Sequence, residues 1–151
     1  MEQSKKAGRY QRIYKQLQEL LTKSSDPTAR MATIAAVLYH KMDYFFWCGF
    51  YRLVDSELTV GPYQGPMACQ VLKKDTGVCW AGLNSGKTII VPDVEKFSGH
   101  IACDSRSKSE IVVPMPDKTG KACGVLDVDS TALNSFDDVD REWLERIIGL
   151  L

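Results

Sequence analysis

The stretch "SEIVVPMPDKTGKACGVLDVDS", Ser109 to Ser130, leaves little choice of local structure. Two apolar runs, "EIVVPM" and "ACGVLDVDS", flank "PDKTGK", a cluster of turn formers, so the stretch reads as two strands joined by a hairpin turn. In "GVLDVDS", Asp127 and Asp129 alternate along the strand and share one face with Val125. Two carboxylates beside a valine are costly against a dry core, so that face is either a solvated strand end or the wall of a polar pocket.

The remaining elements arrange themselves around this hairpin. Tyr10, Ile13, Tyr14, Leu17 and Leu21 recur at spacings of three and four, which predicts an amphipathic helix ending near Lys23. "SSDPTAR" restarts the helix, with Asp26 as N-cap and Pro27 at the first helical position, and Met31, Ile34, Ala35 and Leu38 carry it to about Lys41. "YFFWCGFYRL" reads as a strand that turns at "DSE" into a partner, "LTVGPYQ". A short strand at Gln70–Leu72, a helix from Val78 to Asn84, a strand in "TIIVPDV" and a loop from Glu95 to Lys108 follow. A closing helix begins at about Asp137.

This order predicts a single α+β domain with a mostly antiparallel central sheet. The N- and C-terminal helices cover one face, and pocket-forming loops cover the other. Residues 1–43 supply the first helices, 44–136 the sheet and loops, and 137–151 the last helix.

Composition narrows the function classes. Nineteen Lys and Arg balance nineteen Asp and Glu, and no segment concentrates the basic residues, so the electrostatic footprint of a nucleic-acid binder is missing. No apolar run approaches the roughly 20 residues of a membrane span. The start, "MEQSKKAGRYQRIYKQ", lacks the apolar stretch of a secretory signal, and a cytoplasmic location is expected. In a reducing compartment the five cysteines are not expected to form structural disulfides; those that react do so transiently.

Cys103 lies in a polar segment, "GHIACDSRSKSE", between His100 and Arg106, with Asp104 opposing their charge. Its surroundings leave packing and reaction both open. Cys69 and Cys79 are ten residues apart and no two cysteines have the close spacing of a zinc motif, so no structural zinc site is expected. Cys48 and Cys123 sit inside apolar strand patterns and read as core thiols. Trp47 and Tyr51 share the strand face opposite Cys48 and Phe50, as core packing or as the aromatic wall of a pocket. "GLNSGK" lacks the spacing of a phosphate-binding loop.

Taken together, "WCGFY", "GPYQGPMACQ", "GVCW", "VPDV", "FSGHIACDSRSKSEIVVPM" and "GVLDVDS" resemble the free methionine-(R)-sulfoxide reductases, a family of GAF domains, from about Trp47 to Phe136. Trp80 departs from a position where that family often has glycine. The resemblance implies Cys103 as nucleophile, Cys69 as resolving thiol and Cys79 as an alternative resolving partner. It also implies that Trp47, Tyr51, Glu110, Asp127 and Asp129 bind the substrate and handle protons.

The implied reaction is reduction of the free amino acid through a Cys103 sulfenic acid that condenses to a disulfide, which thioredoxin then reduces, with no bound metal or organic cofactor needed. The competing reading is a small-molecule-binding GAF sensor module without catalysis. The terminal helices leave room for a homodimer.

Overall fold

Residues 1–100 and 103–151 are described by the computed structural model. In chain order they form α1 (Gln3–Leu20), α2 (Pro27–Lys41), β1 (Trp47–Val54), β2 (Glu57–Gln64), β3 (Val71–Leu72), α3 (Gly77–Ser85), β4 (Ile89–Val91), β5 (Ser109–Pro116), β6 (Ala122–Ser130) and α4 (Asp138–Ile148). One six-stranded sheet runs in the order β3-β2-β1-β6-β5-β4, and every neighbouring pair is antiparallel. The α+β architecture expected from the sequence is therefore present.

Local chemistry explains the element ends. Asp26 accepts a hydrogen bond from the Ala29 N–H at 2.9 Å, and Pro27 follows it in the first turn of α2. Asp137 and Asp140 form a reciprocal capping box at the start of α4. β5 carries two prolines because β4 pairs only with Glu110, Ile111 and Val112, which leaves the stretch from Pro114 onward at an open sheet edge.

The two faces of the sheet bury different things. On the helix face, Cys48, Phe50, Ile111, Leu126 and Val128 pack against Tyr10, Leu17, Ile34, Leu38, Leu144 and Ile147 of the three long helices. The apolar stripe of α1 is thus consumed within the chain's own core. On the other face, Trp47, Tyr51, Val112 and Val125 pack beneath α3, whose Val78, Trp80 and Leu83 are buried. This face carries a helix as well as loops, and α3 becomes the second wall of the pocket described below. Cys48 is a fully buried core thiol; Cys123 is only half-buried, with its Sγ 3.4 Å from the Met115 carbonyl oxygen. No helix of the described residues is long and apolar enough to cross a membrane.

The N-terminal helix is locked in place by a buried polar cluster. Lys6 Nζ lies 2.6 Å from Asp140 Oδ2 and 3.3 Å from Asp137 Oδ2, while the Tyr10 and Tyr44 hydroxyls both donate to Asp140 Oδ1. Lys6 and Asp140 are 3% and 0% exposed, so neither charge has water to fall back on. Removing one member of such a pair strands the other, at a cost of about 3–5 kcal/mol. Asp140→Ala is accordingly expected to lower the unfolding free energy by about that amount in urea titrations. Arg146→Ala, which breaks an exposed pair with Glu142 one turn away, is expected to change it by less than about 0.5 kcal/mol.

Candidate active site

Register between three strands builds the floor of the site. β6 lies between β1 and β5, with Asp129 opposite Trp47 on one side and Glu110 on the other. The row below places Asp127 between Gly49 and Val112. Alternation points Trp47, Tyr51, Glu110, Asp127 and Asp129 toward the loop face, and all five line one cavity of about 240 Å³. Cys69, Cys79 and Cys103 line the same cavity, so every site residue named from the sequence is gathered there. His100, Asp104 and the Thr76–Gly77 start of α3 complete its walls.

Gly49 permits this arrangement. A Cβ there would come within 2.2 Å of Tyr63 Cβ and 2.8 Å of the Trp47 ring. With hydrogen in its place, Trp47 stacks between Tyr51 and Tyr63, with ring centroids 5.8 and 5.2 Å away. The polar tips of the two cavity aromatics hold the loop that carries Cys69. Trp47 Nε1 donates to the Pro66 carbonyl at 3.0 Å, and the Tyr51 hydroxyl donates to the Cys69 carbonyl at 3.1 Å. Their pairing with that loop has no signature in the sequence, where the two residues offer only their spacing.

Cys69 and Cys103 are joined as a disulfide, with Cα atoms 5.8 Å apart across a sequence separation of 34 residues. Cys79 remains a free, buried thiol. Arg106, near Cys103 in sequence, is directed elsewhere. Its guanidinium forks onto Asp104 through Nε at 3.0 Å and Nη2 at 2.7 Å and lies 4.9 Å over the Phe46 ring. The Asp104 carboxyl is held down to about 2 by those hydrogen bonds. His100 faces the acids, with Nδ1 3.9 Å from Glu110 Oε1, and its own desolvation lowers its proton affinity.

Glu110, Asp127 and Asp129 are all pushed up from the ordinary carboxylate range, in each case chiefly by burial. Repulsion from Asp127 raises the other two further. Asp127 is held back by its closeness to Glu110 and the Cys79 thiol, which favours its charged form. All three carboxyls therefore keep their protons to higher pH than an ordinary carboxylate does. Burial also raises the Cys79 thiol, with Asp127 adding to the effect, so it stays protonated. Among the described residues, Cys79, Glu110 and Asp127 are the group whose donor atoms lie close enough, within 4.8 Å of one another, to hold a metal ion.

A sheet of this topology with a loop-roofed pocket defines a GAF domain, and the GAF domain model matches residues 24–151. The GAF domain-containing protein A of Dictyostelium discoideum is 48% identical over 147 residues, covering 97% of this chain and 92% of that protein. The free methionine-R-sulfoxide reductase of Escherichia coli is 40% identical over 123 residues, covering 82% of this chain and 74% of that protein. The structure of free methionine-R-sulfoxide reductase from Neisseria meningitidis in complex with its substrate superposes with a TM-score of 0.91 at 38% identity, covering 96% of this chain and 87% of that one. The chain belongs to this family, on the branch of the free methionine-R-sulfoxide reductases.

The raised carboxyls carry a stability consequence. An acid whose folded pKa exceeds its unfolded one binds extra protons in the folded state, so stability falls as pH rises from the unfolded value toward the folded one. Thermal unfolding of the wild type should therefore shift to lower temperature as pH rises above the ordinary carboxylate range of about 4 to 4.5. Glu110→Gln is expected to flatten this slope and to be the more stable protein at the upper end, as read by calorimetry at each pH.

Proposed function

We propose that this protein reduces free methionine-(R)-sulfoxide to methionine with Cys103 as nucleophile and Cys69 as resolving thiol. The observation that carries the reading is a disulfide-forming cysteine pair on the rim of a small cavity floored by three acids and walled by aromatic rings. Sulfur packs well against such rings, which favours a thioether or sulfoxide end against Trp47 and Tyr51. The buried acids suit the ammonium group of a free amino acid. The first turn of α3 opens into the cavity without a side-chain cap on its N–H groups, which suits the carboxylate.

The chemistry balances with the residues present. The Cys103 thiolate attacks the electrophilic sulfur of the sulfoxide, and Glu110 delivers a proton to the oxygen that must leave sulfur. The oxygen passes to Cys103 as a sulfenic acid, and methionine departs with the electron pair. The Cys69 thiol then condenses with the sulfenic acid, releasing water and forming the Cys69–Cys103 bond. Exchange with an external dithiol returns both cysteines to thiols, and thioredoxin in the cytoplasm is the proposed donor. Cys79, protonated and in contact with Asp127, fits a hydrogen-bond donor to that acid better than a resolving thiol.

Cys103→Ser is expected to abolish methionine formation from the R epimer. Cys69→Ser should retain one equivalent of methionine release per chain and lose repeated turnover. Mass spectrometry after a single wild-type turnover should find a Cys69–Cys103 link; a Cys79–Cys103 link in its place reassigns the resolver. Full turnover by Cys103→Ser would sink the proposed reaction.

A further inference from the structure

Glu110, Asp127 and the half-buried Asp129 form an acidic floor with which, among the described residues, no lysine or arginine pairs; the basic side chain set against it is His100. His100 Nδ1 lies 3.9 Å from Glu110 Oε1, and Asp127 and Asp129 have no ion-pair partner among the described residues. Cys79 Sγ and one carboxylate oxygen each from Glu110 and Asp127 lie within 4.8 Å of one another, and all three residues are buried. A tetrahedral zinc site with bonds of about 2.0–2.3 Å holds its donors about 3.3–3.8 Å apart, so gathering this set needs movement of the order of 1 Å. Asp127 also offers an unpartnered oxygen: it is 6% exposed, lines the cavity, and its Oδ1 has no hydrogen-bond partner. His100 Nε2, on the same cavity wall, is likewise unpartnered.

We propose that Cys79, Glu110 and Asp127 form a binding site for a zinc-class divalent cation, with the fourth coordination position facing the cavity. The donor set selects the ion. A thiolate disfavours magnesium and calcium, which take oxygen ligands, while one sulfur and two carboxylate oxygens suit zinc and its tetrahedral surrogate cobalt. Binding exchanges the protons of the donors for the cation. Because Asp127 and Glu110 also hold the substrate in the reading proposed above, ion and methionine sulfoxide exclude each other. The competition rests on that reading, whereas the ion site itself does not. Such a site makes the reductase sensitive to free zinc without any contribution from Cys69 or Cys103.

The disulfide form isolates the site, because Cys69 and Cys103 are then unable to act as ligands. Zinc titrated into the intact oxidised chain without added thiol should bind at one equivalent in calorimetry, and cobalt should give a thiolate-to-metal charge-transfer band. Loss of outer-shell partners alone typically weakens metal binding about 10–100-fold, so Cys79→Ser, which removes a direct ligand, should cost at least that and erase the band. Cys123→Ser, which alters a half-exposed thiol on the other core, should bind as the wild type does. Excess free methionine sulfoxide, which the oxidised chain cannot turn over, should displace the ion.

Absence of saturable binding, or equal affinity in folded Cys79→Ser, overturns the site. Loss of binding in Cys123→Ser does the same by placing the ion elsewhere. Unchanged zinc affinity in saturating methionine sulfoxide overturns the competition. Methionine formation by the reduced, metal-free chain is read separately, so failure of the reductase reading and failure of the ion site give different results.

Discussion

The pocket depends on the register of β6 between β1 and β5. Side chains on a strand alternate between faces, so a slip of one residue would move Asp127 and Asp129 into the apolar helix side and bring Leu126 and Val128 out. The correct pairing is enforced from the other face, where Phe50, Ile111, Leu126 and Val128 are buried under the helices. The helix-side core thus fixes where the acids stand, although none of its residues touches the cavity. Lys6 and Asp140 belong to the same chain of causes, because they hold α1 against α4 over that core.

Burying two carboxyls beside a half-buried third on one face opposes folding, and the molecule compensates by raising their hold on protons. That is the state in which a carboxyl is useful to a reaction that must protonate a departing oxygen. The same burial that makes these groups costly therefore tunes them, and neutralising one should trade activity for stability. The aromatic residues serve two ends in a similar way. Trp47 and Tyr51 offer ring faces to the cavity while their N–H and O–H groups tether the loop on which Cys69 rides.

Much of this was legible in the chain because it is written in short periods. The helices announce themselves through spacings of three and four, and the common face of Asp127 and Asp129 follows from alternation alone. Glu110 was readable as a strand residue, but its place directly opposite Asp129 depends on the hairpin register. The partners of Arg106 and His100 were not legible. Arg106, three positions after Cys103 in sequence, closes on Asp104 and Phe46, while His100 turns to Glu110. Loop geometry decides both, and no period encodes it. Lys6 gave no signal either: a lysine near the N-terminus reads as a solvated residue until a partner 134 positions away buries it.

The Cys69–Cys103 bond spans two loops on the rim of one cavity, 34 residues apart in the chain. In the proposed cycle it is made and broken at every turnover, so the chain alternates between a laced and an unlaced form. A cross-link restricts the unfolded ensemble and so favours the fold that contains it. The protein is then at its stiffest when spent and at its most pliable when charged for work. Its exposure to proteases and heat would track the supply of reductant, and an accumulated oxidised pool would serve as the durable store from which activity is recovered.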